Sequence, residues 1–433
     1  MNFDFVDRSG LPARAVEQLR GEAFWLDDQR IAAPLGRHVP AVSADLLTLA
    51  MCCYAADRVA PRPRTWHREL TVRIPVRDTG LLPHAIPRLE RWLEVLTDDR
   101  WRIEVARNRR ARAVESQLLL ELPDRDWDAV GLFSGGLDSF AGATTWLEAN
   151  RGGGLILVGA QSSSVVGAIQ RRQARRLQQV FPARVVLIGV PLHLDRTLSR
   201  DRWQRSRGFL YEALAVVVAD LARVPAILVF ENGYGALNPR LGEQQHGAYA
   251  TKSTHPWVLE QWTAWTRALG YTASTRLPHR WDTKAELVAR IPVGLRDGIR
   301  ETASCDAFPL RRPRQKQCGI CGSCVLRRQS LVAAGLVQHD RDDYAADPLG
   351  GSDVARLMAF QAWQFRSLRP DGALSSGRRW PELSIGLDDQ PSLEAEMNLA
   401  LLRRYGAEWA AIAEADPVRG AELRWTSDAA RVA

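Results

Sequence analysis

Cysteine, methionine, histidine and lysine are all scarce in this chain. Six Cys, four Met and eight His among 433 residues exclude a disulfide-dense scaffold and a histidine-rich metal protein. Long apolar runs are missing too. The most apolar stretch, Leu214-Ala-Val-Val-Val-Ala-Asp-Leu-Ala, is short and interrupted by Asp220, so no membrane-spanning helix is expected. The opening Met-Asn-Phe-Asp-Phe-Val-Asp has neither the basic region nor the cleavage site of a secretory leader, which makes the cytoplasm the expected compartment. Arginine supplies most of the positive charge, for a formal net charge of +8 and a pI near 9.5. Nucleic acid is therefore a possible partner, but the sequence does not favour it. The densest runs, Arg107-Asn-Arg-Arg-Ala-Arg112 and Arg171/Arg172/Arg175/Arg176, carry no interleaved aromatics, and the second has the spacing of an exposed helix face.

What is present fits a large globular protein. An apolar fraction of 46% over this length supports two or three domains with sizeable cores. Trp66, Trp92, Trp101 and Trp127 sit among apolar neighbours and read as core, as do Cys52 and Cys53. Residues 1–123 read as an N-terminal α+β extension. It has a helix near Ser43–Ala60, a strand at Leu70–Val76, a helix near Pro87–Leu96 and strands at Trp101–Ala106 and Ser116–Leu122. Over 127–340, strands near Ala129–Phe133, Leu155–Gly159, Val185–Val190 and Ala226–Phe230 alternate with helices such as Gln170–Val180 and Gly208–Leu221. That alternation predicts an α/β fold with a doubly wound parallel sheet. Ligands bind such sheets beyond the carboxyl ends of the strands, where Ser134, Gln161, His193 and Glu231 all fall. Residues 341–433 read as a helical C-terminal region, with helices at Asp353–Arg366 and Ser392–Ala415, a loop at Leu368–Leu383 and a frayed end from Arg424.

The most informative stretch is Gly131–Phe140, GLFSGGLDSF. An apolar strand precedes it and a helix follows, so Ser134–Ser139 forms the turn between them. Gly135 and Gly136 let backbone N–H groups close on an anion, and the helix start adds unpaired donors and a positive dipole end. Ser134 and Ser139 add hydroxyls. The turn lacks the GK[ST] ending of a Walker A loop and has instead the form SGGxDS. A plain strand-turn-helix link remains open, since Gly-Gly-x-Asp-Ser also makes an ordinary turn and cap. Asp138 is open between contact with a cation or ribose and helix capping.

A second constellation lies downstream. Cys318-Gly-Ile-Cys321-Gly-Ser-Cys324 forms a CxxCxxC knuckle and Cys305 precedes it. Four thiolates match one tetrahedral zinc, and a closed four-Cys set is structural because no position is left for substrate. An iron–sulfur cluster would call for a further Cys and Pro after Cys324, and none follows.

The SGGxDS turn resembles the PP-loop of enzymes that split ATP between its α- and β-phosphates. The two motifs in this order, with Thr283-Lys284 between them, resemble the 7-cyano-7-deazaguanine synthase (QueC) family over about Trp127 to Val337. The resemblance implies a PP-loop, HUP-like fold. It also implies activation of a 7-carboxy-7-deazaguanine carboxylate by ATP, followed by attack of ammonia and a second activation to the nitrile. Carried over, Ser134, Gly135, Gly136, Leu137, Asp138 and Ser139 hold ATP and Mg2+, and the four cysteines hold Zn2+. Asp138 and Lys284 serve catalysis, Lys284 by offsetting phosphate charge. Arg207, preceding an alanine-rich helix, meets ATP phosphate or is an exposed helix start. Glu231 and Asn232 recognise the guanine-like edge or form a turn. His193 and His255 have no ligand spacing and read as structural.

The chain also departs from that family. It is longer, and Glu231-Asn-Gly-Tyr-Gly-Ala-Leu-Asn-Pro and Thr251-Lys-Ser-Thr-His-Pro stand where the substrate segments are expected. With the two extensions, these features are most similar to the QueC-like proteins of anti-phage defence systems, the QatC branch first and the type IV CBASS branch second. That likeness implies transfer of the activated carboxylate to another amine, such as the N-terminus of a defence-system partner protein. A long nitrile synthase, a tRNA-modifying PP-loop enzyme and a non-catalytic nucleotide scaffold are the alternatives.

Overall fold

The structure, a computed structural model, describes residues 1–5, 24–63, 67–77, 82–107, 126–201, 203–241, 252–306, 308, 317–341, 343–368 and 392–423. The expected strand Ser116–Leu122, Trp66, Thr251, most of the Arg107–Arg112 run, most of the loop 368–383 and the segment from Arg424 lie outside these residues.

The N-terminal part contains β1 (Asn2–Asp4), β2 (Phe24–Leu26), α1 (Gln29–Leu35), α2 (Ala41–Val59), β3 (Glu69–Val76), α3 (Leu82–Thr97) and β4 (Arg100–Arg107). Strands β1, β3 and β4 pair in parallel in the order β1-β3-β4, with α3 as the crossover between the last two. The expected N-terminal α+β region thus contains a β-α-β unit. Next come β5 (Ala129–Leu132), α4 (Leu137–Ala149), β6 (Leu155–Gln161), α5 (Ser164–Val180), β7 (Val185–Leu194), α6 (Arg207–Ala222) and β8 (Ala226–Leu228). They are followed by α7 (Gly233–Leu237), α8 (Pro256–Ala268), β9 (Ser274–Arg276) and α9 (Lys284–Ala289). Among the described residues from 322 on, the long elements are helices: α10 (Gly322–Ala333), α11 (Asp353–Phe365), α12 (Ser392–Ala415) and the shorter α13 (Pro417–Glu422).

The central sheet has the order β2-β7-β6-β5-β8-β9, parallel throughout except for the antiparallel edge strand β2. Both faces are buried, which explains the nearly continuous apolar runs of its strands. Val130, Ile156, Val158, Ile188, Val190 and Ile227 face one side and join a core shared with α2, α3, α6 and α8. Ala129, Leu155, Leu157, Val185 and Leu228 face the other, where α4, α5 and α9 cover them. Helix α6 is apolar nearly all round because α2 packs on its outer side. The fold is therefore mixed α/β, with a mostly parallel central sheet and helices on both sides.

Most expected elements are present with shifted ends. Helix α5 begins at Ser164 rather than Gln170, since the Ser163 hydroxyl caps it by accepting from the Val166 N–H at 3.3 Å. Strand β7 runs on to Leu194 because Trp25 and Leu26 of β2 pair with His193 and Leu192. Strand β8 stops at Leu228, ahead of the expected Phe230. Strands β2 and β9, three residues each, have too short a period to be read in the sequence. Among the described residues, no helix is long and apolar enough to cross a membrane.

Candidate active site and metal centre

Strand order reverses at β5. From it the chain moves to β6 and β7 on one side and to β8 and β9 on the other, and the crevice beyond such a reversal is where open α/β sheets bind ligands. The Ser134–Ser139 turn leaves β5 at this point. Gly135 has φ +85°, a conformation costly for a residue with a Cβ. Gly136 is the N-cap of α4, and its N–H is held by Ser134 Oγ at 3.2 Å. Ser139 Oγ donates to the Gly136 carbonyl at 3.0 Å. The first-turn N–H groups of α4 point out of the helix without intrahelical partners. Leu137 has its side chain in the core, so only its N–H is available to a ligand.

Two residues that sequence reasoning missed brace this turn from below. Gln170 Nε2 donates to the Phe133 carbonyl at 3.0 Å, and Gln173 Nε2 donates to the Gly135 carbonyl at 3.1 Å. Both side chains are fully buried. Their signal was available: glutamines three apart on the buried stripe of an otherwise amphipathic helix demand polar partners. The Gly135 carbonyl also accepts from the Ala303 N–H at 3.1 Å.

Asp138, in the first turn of α4, gathers residues from two other segments. Its Oδ1 accepts from Asn232 Nδ2 at 2.9 Å, and its Oδ2 forms an ion pair with the Lys284 ammonium. Asn232 follows β8 and caps α7, its Oδ1 accepting from the Gly235 N–H at 2.9 Å. Its Nδ2 also reaches Glu231 Oε1 at 2.8 Å, so the whole amide is engaged. Lys284 is the first residue of α9, behind a capping box in which Thr283 and Glu286 bond reciprocally. It is only 5% exposed, unlike the solvated helix-start lysine that composition would suggest. The Glu231 carboxyl is pushed well above its ordinary range by burial and by the Asp138 charge, against the opposing pull of Lys284. The Lys284 ammonium at the strand ends is thus paired with Asp138, and the Glu231 carboxyl beside them favours its protonated form.

Other sequence candidates lie elsewhere. Arg207 is exposed at the start of α6, where its charge acts on Tyr54 and Tyr211. Gln161 lies sideways on β7, so close that a Cβ on Gly189 would meet its Nε2 at 2.0 Å. His193 stacks on Trp25 at the sheet edge, with ring centroids 5.8 Å apart, carried there by the extension of β7. His255 is buried at the N-cap of α8. Of the four strand-end residues, Ser134 and Glu231 belong to the Asp138 neighbourhood, while Gln161 and His193 are directed elsewhere.

The four downstream cysteines come together. One sulfur from each of Cys305, Cys318, Cys321 and Cys324 lies within 4.8 Å of the others, a group that could hold a metal ion such as zinc. Gly319 at φ +78° makes the knuckle, and a Cβ there would run into the Ala346 carbonyl at 1.9 Å. The Cys321 N–H donates to Cys318 Sγ at 3.3 Å, and Cys324 sits in the first turn of α10. Hydrogen bonding to Cys305 and burial push the Cys321 and Cys324 thiols far up. A bound cation would reverse that shift by stabilising the thiolates. All six cysteines are free, and Cys52 and Cys53 are buried in α2.

The cysteine cluster and the glycine turn are physically joined. Arg327 of α10, fully buried, donates to Asp340 Oδ1 at 2.8 Å and the Ile299 carbonyl at 2.8 Å, and also bonds the Thr302 hydroxyl. It thereby fixes the segment that carries both Ala303, bonded to Gly135, and Cys305. No protein-family model matches the chain, and no curated protein matches it either.

Proposed function

We propose that this chain is an AMP-forming ligase of the PP-loop, HUP-like type. In this reading it activates a 7-deazaguanine carboxylate with ATP and transfers it to an amine. The observation that carries the reading is the convergence of Asp138 and Lys284 beside the Gly135–Gly136 turn, at the point where strand order reverses. Open α/β sheets bind nucleotides there.

The residues fit the phosphates of ATP. A Cβ on Gly135 or Gly136 would meet Ile169 Cγ2 at 3.0 Å or Ser134 Oγ at 3.2 Å, so glycine lets the turn pack this closely on α5. The α4 N–H groups, the Ser134 hydroxyl and the Lys284 ammonium present positive potential to an anion. The Asp138 carboxylate, at the start of α4, would hold Mg2+ there. Bound Mg2+ would neutralise phosphate charge. Zn2+ in the four-cysteine set would serve structure alone, since all four positions are filled by thiolates.

In the reaction, a carboxylate oxygen bonds to the α-phosphorus as the bond to pyrophosphate breaks, and the amine nitrogen then bonds to the carbonyl carbon, giving up a proton to solvent as AMP leaves. Lys284 and the α4 N–H groups act where negative charge grows on the α-phosphate. Asn232 holds Asp138 in place, and Glu231 is the group left to accept from the N–H edge of a guanine-like base. Adenylation determines the electrophile only. The amine is whichever one is held within attacking distance, and the resemblance to defence-system proteins points to the N-terminus of a partner protein. A tRNA thiolase needs a redox-active or iron–sulfur cysteine pair; a four-cysteine set closed around one structural metal argues against it, and burial pushes the thiols of Cys52 and Cys53 far up.

The test is product analysis by mass spectrometry after incubation with ATP, Mg2+ and 7-carboxy-7-deazaguanine, with ammonia or a co-encoded partner protein in parallel. AMP with a covalent mass increase on the partner is the expected result. AMP with nitrile alone would make the chain a nitrile synthase, and no AMP in either arm would leave a binding scaffold.

A further inference from the structure

The resemblance that suggests an ATP site ends near Val337, yet the last long helix is built into that site. Helix α12 crosses both segments that converge on Asp138. On the Asn232 side, Tyr405 stacks on Tyr234 with ring centroids 4.1 Å apart, and Leu401 packs so tightly that a Cβ on Gly233 would meet its Cδ2 at 2.5 Å. On the Lys284 side, Glu394 pairs with Arg280 through bonds of 3.1 and 2.7 Å. Arg404 bonds Glu286 Oε1 at 2.7 Å and the Trp281 carbonyl at 2.6 Å.

Glu408 makes the most specific contact. It accepts the hydroxyl proton of Thr283, the N-cap immediately before Lys284. The same hydroxyl accepts from the Glu286 N–H at 3.1 Å, so its donor and its acceptor are both committed and its rotamer is fixed. The other Glu408 oxygen accepts from Gln329 Nε2 at 3.0 Å, and Gln329 lies on α10, the helix that carries Cys324. One carboxylate therefore joins the start of α9 to the helix of the cysteine cluster.

We propose that α12 is a working part of this site and that Glu408 is a positioning residue, setting the Lys284 ammonium against Asp138 through Thr283. The functional consequence rests on the nucleotide reading above, whereas the positioning itself does not.

Lysine scarcity makes the test direct, because the chain contains only Lys252, Lys284 and Lys316. The full-length protein is pulsed with an amine-acylating N-hydroxysuccinimide ester, and each lysine is followed by peptide mass spectrometry. Lys252, paired with Asp98 at 3.1 Å, is the internal control. In Glu408→Ala, Lys284 should be acylated on the order of tenfold faster than in wild type, as local opening predicts, with Lys252 unchanged. Glu408→Gln should restore protection, because its amide oxygen still accepts from Thr283 and Gln329 can turn its unpartnered Oε1 toward the new amide. Glu408→Asp, a milder change in case Glu408→Ala does not fold, should raise the Lys284 rate by a smaller factor.

Wild-type protection of Lys284 in Glu408→Ala or in Glu408→Asp, a parallel rise at Lys252, or no rescue by Glu408→Gln would overturn the inference. Mg·ATP titration of the same proteins separates the two readings. Opening of Lys284 in a protein whose wild type binds no ATP supports the positioning and sinks the nucleotide reading. ATP binding with Lys284 indifferent to Glu408 does the reverse.

Discussion

Two groups of buried charge sit in this molecule, built from similar parts and doing different things. In the first, Arg62 and Arg68 lie among Asp57, Asp99 and Asp201, and every carboxylate oxygen is engaged. Asp99 accepts from both guanidinium groups, Asp57 from Arg68 and from the Ser206 N–H and hydroxyl, and Asp201 from both arginines and the Trp203 N–H. This network ties α2 and the start of β3 to the segment that leads into α6. In the second group, Asp138, Glu231, Asn232 and Lys284 meet at the strand ends. There the Lys284 ammonium pairs with Asp138, and Oε2 of Glu231 takes no partner among the described residues. Burial and ion pairing are common to both groups. A network whose carboxylate oxygens are all engaged holds the fold, while a group at the strand reversal with an open carboxyl oxygen has capacity left for a ligand.

The sharpest way to break this comparison is to remove one cation from the closed network. Arg68→Ala should destabilise the protein by about 3–5 kcal/mol, because uncompensated buried carboxylates remain. Urea unfolding measures this, and turnover per folded molecule should stay near wild type. Asp138→Asn should do the converse. AMP formation should fall by about 10²–10³-fold, the usual cost of losing an electrostatic element of a site, with a far smaller change in urea midpoint than Arg68→Ala.

Cys321→Ser joins the two regions from a third direction. Bound zinc should drop from about one per chain, as metal analysis would report. Because Ala303 and Cys305 belong to the segment that holds the Gly135 carbonyl, Mg·ATP affinity should weaken together with thermal stability.

The smallest effect is a control on burial alone. Glu212 of α6 belongs to neither group, is bonded by the Thr275 hydroxyl at 3.1 Å and is pushed up to about 8 by burial, from an ordinary 4.5. Folded protein therefore keeps a proton that unfolded chain releases between those two pH values. Stability should fall as pH rises through that window. Glu212→Gln, whose oxygen still accepts from Thr275, should flatten this slope in denaturation curves at pH 5 and pH 8.5 without altering turnover.

Local features were the legible ones. The glycine turn and the cysteine spacing could be read because each confines its ligands to a few consecutive residues. The strands β5 to β8 could be read because burial on both faces leaves apolar runs. Lys284, Asn232 and Asp138 were nameable only one at a time. Their meeting depends on strand order, which no local period encodes. Gln170 and Gln173 were passed over, although their spacing on the buried stripe was legible, because arginines dominate the pattern of their helix, and the end of β7 was misplaced because β2, its partner, lies far upstream in the chain. Glu408 gave no signal, since glutamate on a long helix is ordinary until Thr283 is seen beneath it.

The most direct test of the central claim is pyrophosphate exchange. Labelled pyrophosphate, Mg·ATP and 7-carboxy-7-deazaguanine are incubated with the wild-type protein and with Asp138→Asn, and label entering ATP is counted. Cleavage at the switch-point group predicts carboxylate-dependent exchange in wild type that collapses in Asp138→Asn. No exchange in wild type, or exchange that persists in Asp138→Asn, would contradict it.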